Sequence, residues 1–418
     1  MSRLGLAGLF ALILAALSVG EGRAQQQTTM DERRCTGQLA SNPEQQIAAC
    51  TALIEGGRYG AQNLAIIHSN RGIAYGKAGE YERAVADFDA AIRINPNHTR
   101  AYFNRGNAQL ARRDFDGSIQ SFDQAIRLDP RSAATFLGRG SAHAAKGDDA
   151  RAIADYDQSI RLDGSVGAAY FHRGLAHRRI GEAERAIADY DQAIKLNPRD
   201  AAAFNNRGIA YADLGILDRA MADYDQALKL DANFALAFVN RGIVWHNHKD
   251  HDRAIADFDA AIRLAPDNAA AYNNRGTALD AKGEFDRALA DFDRAIELDP
   301  RSAGFYDNRG NVWRNKGAFD QAIADYDRAI ALLPDYALAF YNRAQVHYLA
   351  GRFADALADA ETSARLNQAS APALSLRGMI REKLGARTEA IADFRRAATL
   401  DPSLPQPLNA LRRLGAGP

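Results

Sequence analysis

Cysteine is nearly absent from this chain: 418 residues carry two, Cys35 and Cys50, both near the N-terminus. They form no CxxC pair and have no histidine close by, so redox or metal chemistry has little to rest on. The charge balance excludes more. Lys plus Arg number 52 and Asp plus Glu also number 52, a formal net charge of zero. Nucleic acid needs a basic stripe that displaces phosphate counterions, and an acidic lipid surface needs a similar excess. Neither is expected as a partner. The usual catalytic signatures are missing too: there is no phosphate-cradling Gly loop, no His-Glu metal motif and no nucleophile elbow. Nearly every polar residue recurs with a fixed period, whereas catalysis needs a unique constellation. No enzymatic activity, cofactor or metal is expected.

What is present begins with a targeting segment. Arg3 gives a positive start, and Leu4 to Val19 form a run of small and apolar residues. The run is short for a membrane span, which needs about 20 apolar residues. Gly22-Arg23-Ala24 then places small residues where a signal peptidase reads them. Residues 1–24 are therefore expected to be a signal peptide cleaved after Ala24, with the rest periplasmic or secreted. The alternative is an uncleaved N-terminal anchor with the repeats facing the periplasm. An even cysteine count in an exported chain implies a disulfide, here Cys35–Cys50. Ser41-Asn42-Pro43 reads as a helix start with Pro in the first turn, which places Cys50 about two turns into that helix. Closing a loop of about 15 residues contributes roughly 3 kcal/mol in the chain-entropy model.

The dominant signal is self-similarity. Asn-Arg-Gly occurs at Asn70, Asn104, Asn206, Asn240, Asn274 and Asn308, and the variants Gly138-Arg139-Gly140, His172-Arg173-Gly174, Asn342-Arg343-Ala344 and Leu376-Arg377-Gly378 complete the series. The arginines recur every 34 residues from Arg71 to Arg377 without one insertion. In the unit Ala269 to Ser302, Tyr272, Gly276 and Leu279 keep helical spacing until Gly283. Ala288, Phe292, Ala295 and Ile296 then share one face of a second helix, which Asp299-Pro300 ends. The aromatic of the second helix recurs from Phe88 to Phe394 and fails only at Ala360.

A period of 34 with these small, aromatic and Pro landmarks resembles the tetratricopeptide repeat. The resemblance implies an all-α, right-handed superhelical solenoid of about ten helix-turn-helix units spanning 65–404. These start near 65, 99, 133, 167, 201, 235, 269, 303, 337 and 371. Residues 25–64 read as a degenerate N-terminal cap repeat stapled by the disulfide, with Cys50 where the aromatic stands and an insertion near Gly56-Gly57. Residues 405–418, with Leu408, Leu411 and Leu414 at spacings of three, read as a C-terminal capping helix.

The units depart from the family pattern in having Arg before the small residue of the first helix, where an apolar residue is usual. A buried Arg needs a partner. The recurring Ala-Asp-aromatic-Asp of the second helix supplies one, and its first Asp is expected to pair with the Arg ladder within or between units. Arg71, Arg207, Arg241, Arg275 and Arg309 would meet Asp87, Asp223, Asp257, Asp291 and Asp325, and Ser121 would leave the second unit without a pair. The second Asp stands four residues before a cation, as in Asp89 to Arg93 and Asp259 to Arg263, and is expected to form surface pairs along one helix. The Asp-rich motif lacks the Gly-centred turn and terminal Glu of a calcium loop.

In this family the first helices line the concave face. The tetratricopeptide superhelix of O-GlcNAc transferase carries a concave Asn ladder that hydrogen-bonds an extended peptide, and this sequence has Asn at the matching place at Asn70, Asn104, Asn206, Asn240, Asn274, Asn308 and Asn342. An amide can donate to a carbonyl and accept from an N–H together. The other reading is that these side chains hold neighbouring helices or water. The ladder breaks at Gly138 and His172. Asn205, Asn273, Asp307, Tyr341, Thr277, Asn311 and Gln345 flank its longer part, while Phe103 and Phe171 make the other half more apolar. His246, His248 and His251 beside Trp245 match no standard metal spacing and read as variation on a surface turn. The expectation is a non-catalytic scaffold for a protein or extended peptide, in envelope assembly or secretion. The alternatives are a holder of many clients or the repeat part of an enzyme complex. The oligomeric state is open.

Overall fold

The computed structural model describes residues 26–40 and 42–417, so the expected signal peptide, residues 1–24, lies outside the described residues. Helix follows helix throughout, and no strand occurs among the described residues. The chain divides into two compact units, Met1–Gly215 and Ile216–Pro418. The division falls inside the fifth repeat, between its first helix, Ala201–Asp213, and its second, Leu217–Leu230. Each unit is an all-α solenoid of antiparallel helix pairs.

Local chemistry sets the helix ends. In the seventh repeat Asn268 accepts a hydrogen bond from the Ala271 N–H at 3.1 Å and opens the first helix, Ala269–Ala281. Gly283 has φ 78° in the turn, a conformation that costs a side-chain-bearing residue about 1–2 kcal/mol. The second helix, Phe285–Leu298, stops at Asp299, whose φ −137° and ψ 88° lie outside the helical region that a following proline disfavours. Asp200, Asp114, Asp148 and Asp250 cap other helices in the same way as Asn268. Arg113 and Lys249 occupy the turn position with φ 64° and 63°, where other repeats have Gly.

Each helix pair closes around one contact. A Cβ placed on Gly276 would lie 3.0 Å from the Phe292 ring, and one on Gly242 would lie 2.7 Å from Phe258. The small residue thus lets the ring of the second helix approach the backbone of the first closely. Ala288 and Ala295 are fully buried beside it. In the ninth repeat the pair is replaced on both sides: Ala344 faces a helix carrying Ala360, and Leu376 and Ile380 of the tenth repeat pack against both. The missing ring is made up from the next repeat.

Within each unit the first helices of successive repeats touch, and among the described residues no comparable contact joins successive second helices. First helices therefore line the inner side of each stack. At the N-terminal end Cys35 and Cys50 are joined by a disulfide and buried with Ala49, Leu53 and Ile67. Asn42 caps the helix Pro43–Glu55 through the Gln45 N–H, and Gln46 donates from Nε2 to the Cys35 carbonyl at 2.9 Å. The following helix runs Ala61–Lys77, beginning four residues before the expected start of the first repeat, because nothing in Ala61-Gln62-Asn63-Leu64 breaks it. At the C-terminal end the helix Pro405–Arg413 buries Pro407, Ala410 and Leu411.

Candidate functional site: the inner helix face and its ion-pair ladder

The Arg side chains lie between the two helices of a repeat and bridge to the repeat before. Arg275 donates from Nε and Nη2 to Asp291 in its own repeat, at 2.8 and 2.6 Å, and from Nη1 to Asp259 in the preceding one, at 2.5 Å. Arg241 joins Asp257 and Asp225 in the same way, and Arg309 joins Asp325 and Asp293. Arg139, Arg173 and Arg343 repeat the arrangement. Arg71 reaches Asp87 at 2.7 Å. Arg105 has no carboxylate in its own repeat, where Ser121 accepts at 2.9 Å, but it still takes Asp89 of the repeat before. Arg207 pairs with Asp191 in the first unit; Asp223 belongs to the second.

This corrects the reading of the second Asp. Among the described residues Asp89 and Asp259 form no pair with Arg93 and Arg263 along their own helix; they bind Arg105 and Arg275 of the following repeat. Arg127 and Arg161, expected partners of Asp123 and Asp157, bond Gln124 and Gln158. A guanidinium presents five donors in a rigid fork, and one unit of translation along the stack brings a second carboxylate to its free edge. A partly desolvated fork outcompetes a solvated helix-face pair worth a few tenths of a kcal/mol. From Arg105 to Arg343 each ladder Arg also lies over the aromatic three residues before it, as Arg275 over Tyr272 at 5.6 Å, whereas Arg71 lies over Tyr75.

The charges respond as this geometry requires. The hydrogen bond to Asp291, opposed by burial, holds the Arg275 guanidinium above its ordinary range, and Asp325 does the same for Arg309. Burial works against the Asp87 carboxylate, but hydrogen bonds from Arg71 and His68 hold it below the usual range.

The Asn ladder is on the inner face, but it is not a row of free amides. Asn308 donates to Asn273 at 2.9 Å and Asn342 to Asp307 at 3.0 Å, both across to the preceding repeat. Asn206 donates to the Ala202 carbonyl of its own helix at 2.8 Å, and Asn240 is also engaged. The Asn274 side-chain Oδ1 accepts from the Asn273 amide at 3.4 Å. The Asn104 amide nitrogen is enclosed without a partner, and Asn70 is half-buried. The breaks in the ladder have packing causes. A Cβ at Gly138 would lie 2.6 Å from the Phe122 ring, and His172 stacks on Tyr156 with centroids 6.0 Å apart. Asp307 is 1% exposed, and burial pushes its carboxyl up against the pull of Asn342 and Arg314.

A further departure from periodicity lies in the second unit. Arg314, Tyr341, Gln345, Tyr348, Leu349, Pro372, Ser375, Leu376, Met379, Leu404 and Gln406 line an open cavity of about 390 Å³ on the inner face of repeats eight to ten. It sits beside the Ala344–Ala360 pair, where Leu376, at the Asn position, turns inward to replace the missing ring.

Family profiles match along the chain: one described as tetratricopeptide repeat at 70–133, 105–166 and 341–405, one described as TPR repeat at 174–215 and 310–351, and a second tetratricopeptide-repeat profile at 201–234 and 269–302. The chain belongs to the tetratricopeptide-repeat family. A crystal structure of a tetratricopeptide-repeat protein from Parabacteroides merdae ATCC 43184 is 19% identical, with TM-score 0.50 over 59% of this chain and 98% of that one. A chain of the APC/C hetero-tetramer Cut9–Hcn1 is 12% identical, with TM-score 0.53 over 89% and 93%. At these identities the likeness shows the fold. No curated protein sequence matches.

As a tetratricopeptide-repeat protein the chain is a protein–protein interaction scaffold. Among the described residues no helix is long and apolar enough to cross a membrane. The signals overlooked in the sequence were regular ones: a second Asp sixteen residues before most ladder arginines, and the fork that lets one Arg hold two carboxylates. His246 and His251 meet through Nδ1 atoms 3.2 Å apart, with Arg253 over Trp245 at 4.6 Å beside them; among the described residues no group of three metal-binding side chains forms.

Proposed function

We propose that the chain is a non-catalytic scaffold that holds an extended segment of a partner protein along the inner, first-helix face, outside the cytoplasm in cell-envelope assembly or secretion. The observation that carries this is the contrast between the two faces. Ladder carboxylates on second helices are consumed by arginines of the stack, whereas the first-helix face opens into the cavity of repeats eight to ten. Backbone-directed hydrogen bonds would supply affinity and neighbouring side chains the choice of cargo. Asn70 and Asn274 are the ladder residues proposed to reach peptide; Asn308 and Asn342 act through the repeats they join. The disulfide-joined residues before Ala61 and the helix Pro405–Arg413 are proposed as end caps, and the buried disulfide supports an oxidising compartment.

The test is photo-cross-linking in the native cell with the reactive group at Leu349 or Met379 on first helices, and at Glu297 on a second helix. Adducts to one stoichiometric partner from the first-helix positions support the scaffold. Adducts confined to Glu297 refute the inner-face reading. Fractionation of the same cells checks location, and a cytoplasmic chain retaining residues 1–24 refutes export.

A further inference from the structure

The inner face carries its own rule of pairing, a step of 35 residues. A residue of one first helix meets the residue one place further on in the next. Arg178 donates to Asp213 at 2.7 Å, Asn315 to Asp280 at 3.1 Å, and Asn342 to Asp307 at 3.0 Å, each 35 residues apart. Polar groups on this face thereby satisfy one another from repeat to repeat.

Arg314 stands in its repeat where Arg178 stands in the fourth, four periods earlier. The residue that should answer it is Leu349, which takes the place of Asp213 and is 59% exposed. Arg314 turns instead to the side-chain Oε1 of Gln345 at 2.8 Å, and among the described residues no carboxylate forms an ion pair with it. Its acidic neighbours are occupied: Asp280 by Asn315, and Asp307 by Asn342 and Asn311. The same rung that lacks a carboxylate opens onto the cavity of about 390 Å³, within the range of specific ligand sites. Leu376, Met379 and Leu404 supply its apolar lining. A guanidinium that no carboxylate touches, although the charges of Asp280 and Asp307 reach it, borders an apolar hole, and that is a complementary pattern for one kind of occupant.

We propose that Arg314 and this cavity together read a single determinant: a large apolar side chain accompanied by a carboxylate, presented by an extended segment of the partner. The inference rests on the peptide-holding reading of the inner face and adds the chemistry that selects the peptide. The apolar side chain fills the cavity as a buried anchor. The carboxylate accepts from Arg314 as the Asp213 carboxylate does from Arg178, in a site where neighbouring apolar groups strengthen a charge-assisted hydrogen bond. An acidic side chain and a chain terminus offer the same group.

The experiment selects randomised short peptides on the full chain, one pool with amidated and one with free C-termini. Enriched peptides are expected to share a large apolar residue next to Asp or Glu in the amidated pool, which identifies a side-chain source. Enrichment of apolar residues only at the end of free-terminus peptides identifies the chain terminus, and still supports the proposal. Against the best peptide, Arg314→Gln should lose about ten-fold in affinity while barely changing binding of the peptide's neutral amide analogue. Leu349→Asp, at an exposed position that threatens no packing, gives Arg314 the partner Arg178 already has and should abolish the same discrimination. Enriched peptides without a carboxylate, or discrimination that survives both variants, overturn the proposal and leave peptide holding intact. Failure to select any peptide overturns both.

Discussion

Arg275 offers the sharpest test of the ladder. Its side chain is 20% exposed; Asp291 beside it is 8% exposed and Asp259 38%. Arg275→Met keeps the aliphatic stem but removes the donors and the guanidinium that lies over Tyr272. It leaves Asp291 almost dry and without its main partner. Breaking a buried pair costs about 3–5 kcal/mol, and because water reaches one side of this guanidinium, the lower end, about 3 kcal/mol, applies. The more exposed contact to Asp259 adds about 0.5 kcal/mol. Asp291→Ala is milder, about 1.5 kcal/mol, since Arg275 keeps Asp259 and some solvent. The double variant contains no stranded carboxylate and should cost only about 2 kcal/mol, a coupling above 2 kcal/mol. The assay is urea unfolding followed by far-ultraviolet circular dichroism, fitted with a nearest-neighbour scheme because repeats need not unfold together. Hydrogen exchange in the seventh repeat localises the loss. Additivity of the two single changes within about 0.5 kcal/mol would refute the claim that the pair holds the repeat as a unit.

Gly242→Ala should destabilise by about 1–3 kcal/mol, because the new methyl meets the Phe258 ring. Gly304→Ala, in a first helix with nothing within 4 Å of the new Cβ, should instead stabilise by about 0.5–1 kcal/mol; thermal melts of the two variants check the opposite signs. Lys249→Gly should raise stability by about 1 kcal/mol in the same assay by relieving a left-handed side-chain-bearing residue. Asp307→Asn tests the buried carboxyl. Its folded pKa is raised by burial, so its contribution to stability is complete below the unfolded value and is lost as pH rises through the folded value. The variant should therefore melt higher than the native chain at neutral pH, with the difference vanishing below about pH 4; a difference that grows in acid contradicts the assignment.

Much of this molecule is legible in its sequence because each repeat buries its residues against itself and its neighbours only. The pairing of Gly276 with Phe292 and of Arg275 with Asp291 joins residues sixteen apart, and the period displays such pairs many times over. The exception at the ninth repeat was visible as Ala360, but not its remedy. Leu376 and Ile380 fill the space from the next repeat, so the sequence position that lost its ring is not the one that compensates.

The period of 34, the capping side chains and the match of Arg to Asp together determined an all-α stack of helix pairs. These are local or nearest-neighbour facts that any arrangement of the repeats must satisfy. Only the tertiary structure decided how one repeat is turned and shifted on the next. That stagger sends Asp259 to Arg275 rather than to Arg263, commits the Asn342 amide to Asp307, and sets Leu349 where Arg314 would have found a carboxylate. Spacing along a chain cannot encode a rotation between helices, and the partners that converge on the inner face follow from that rotation.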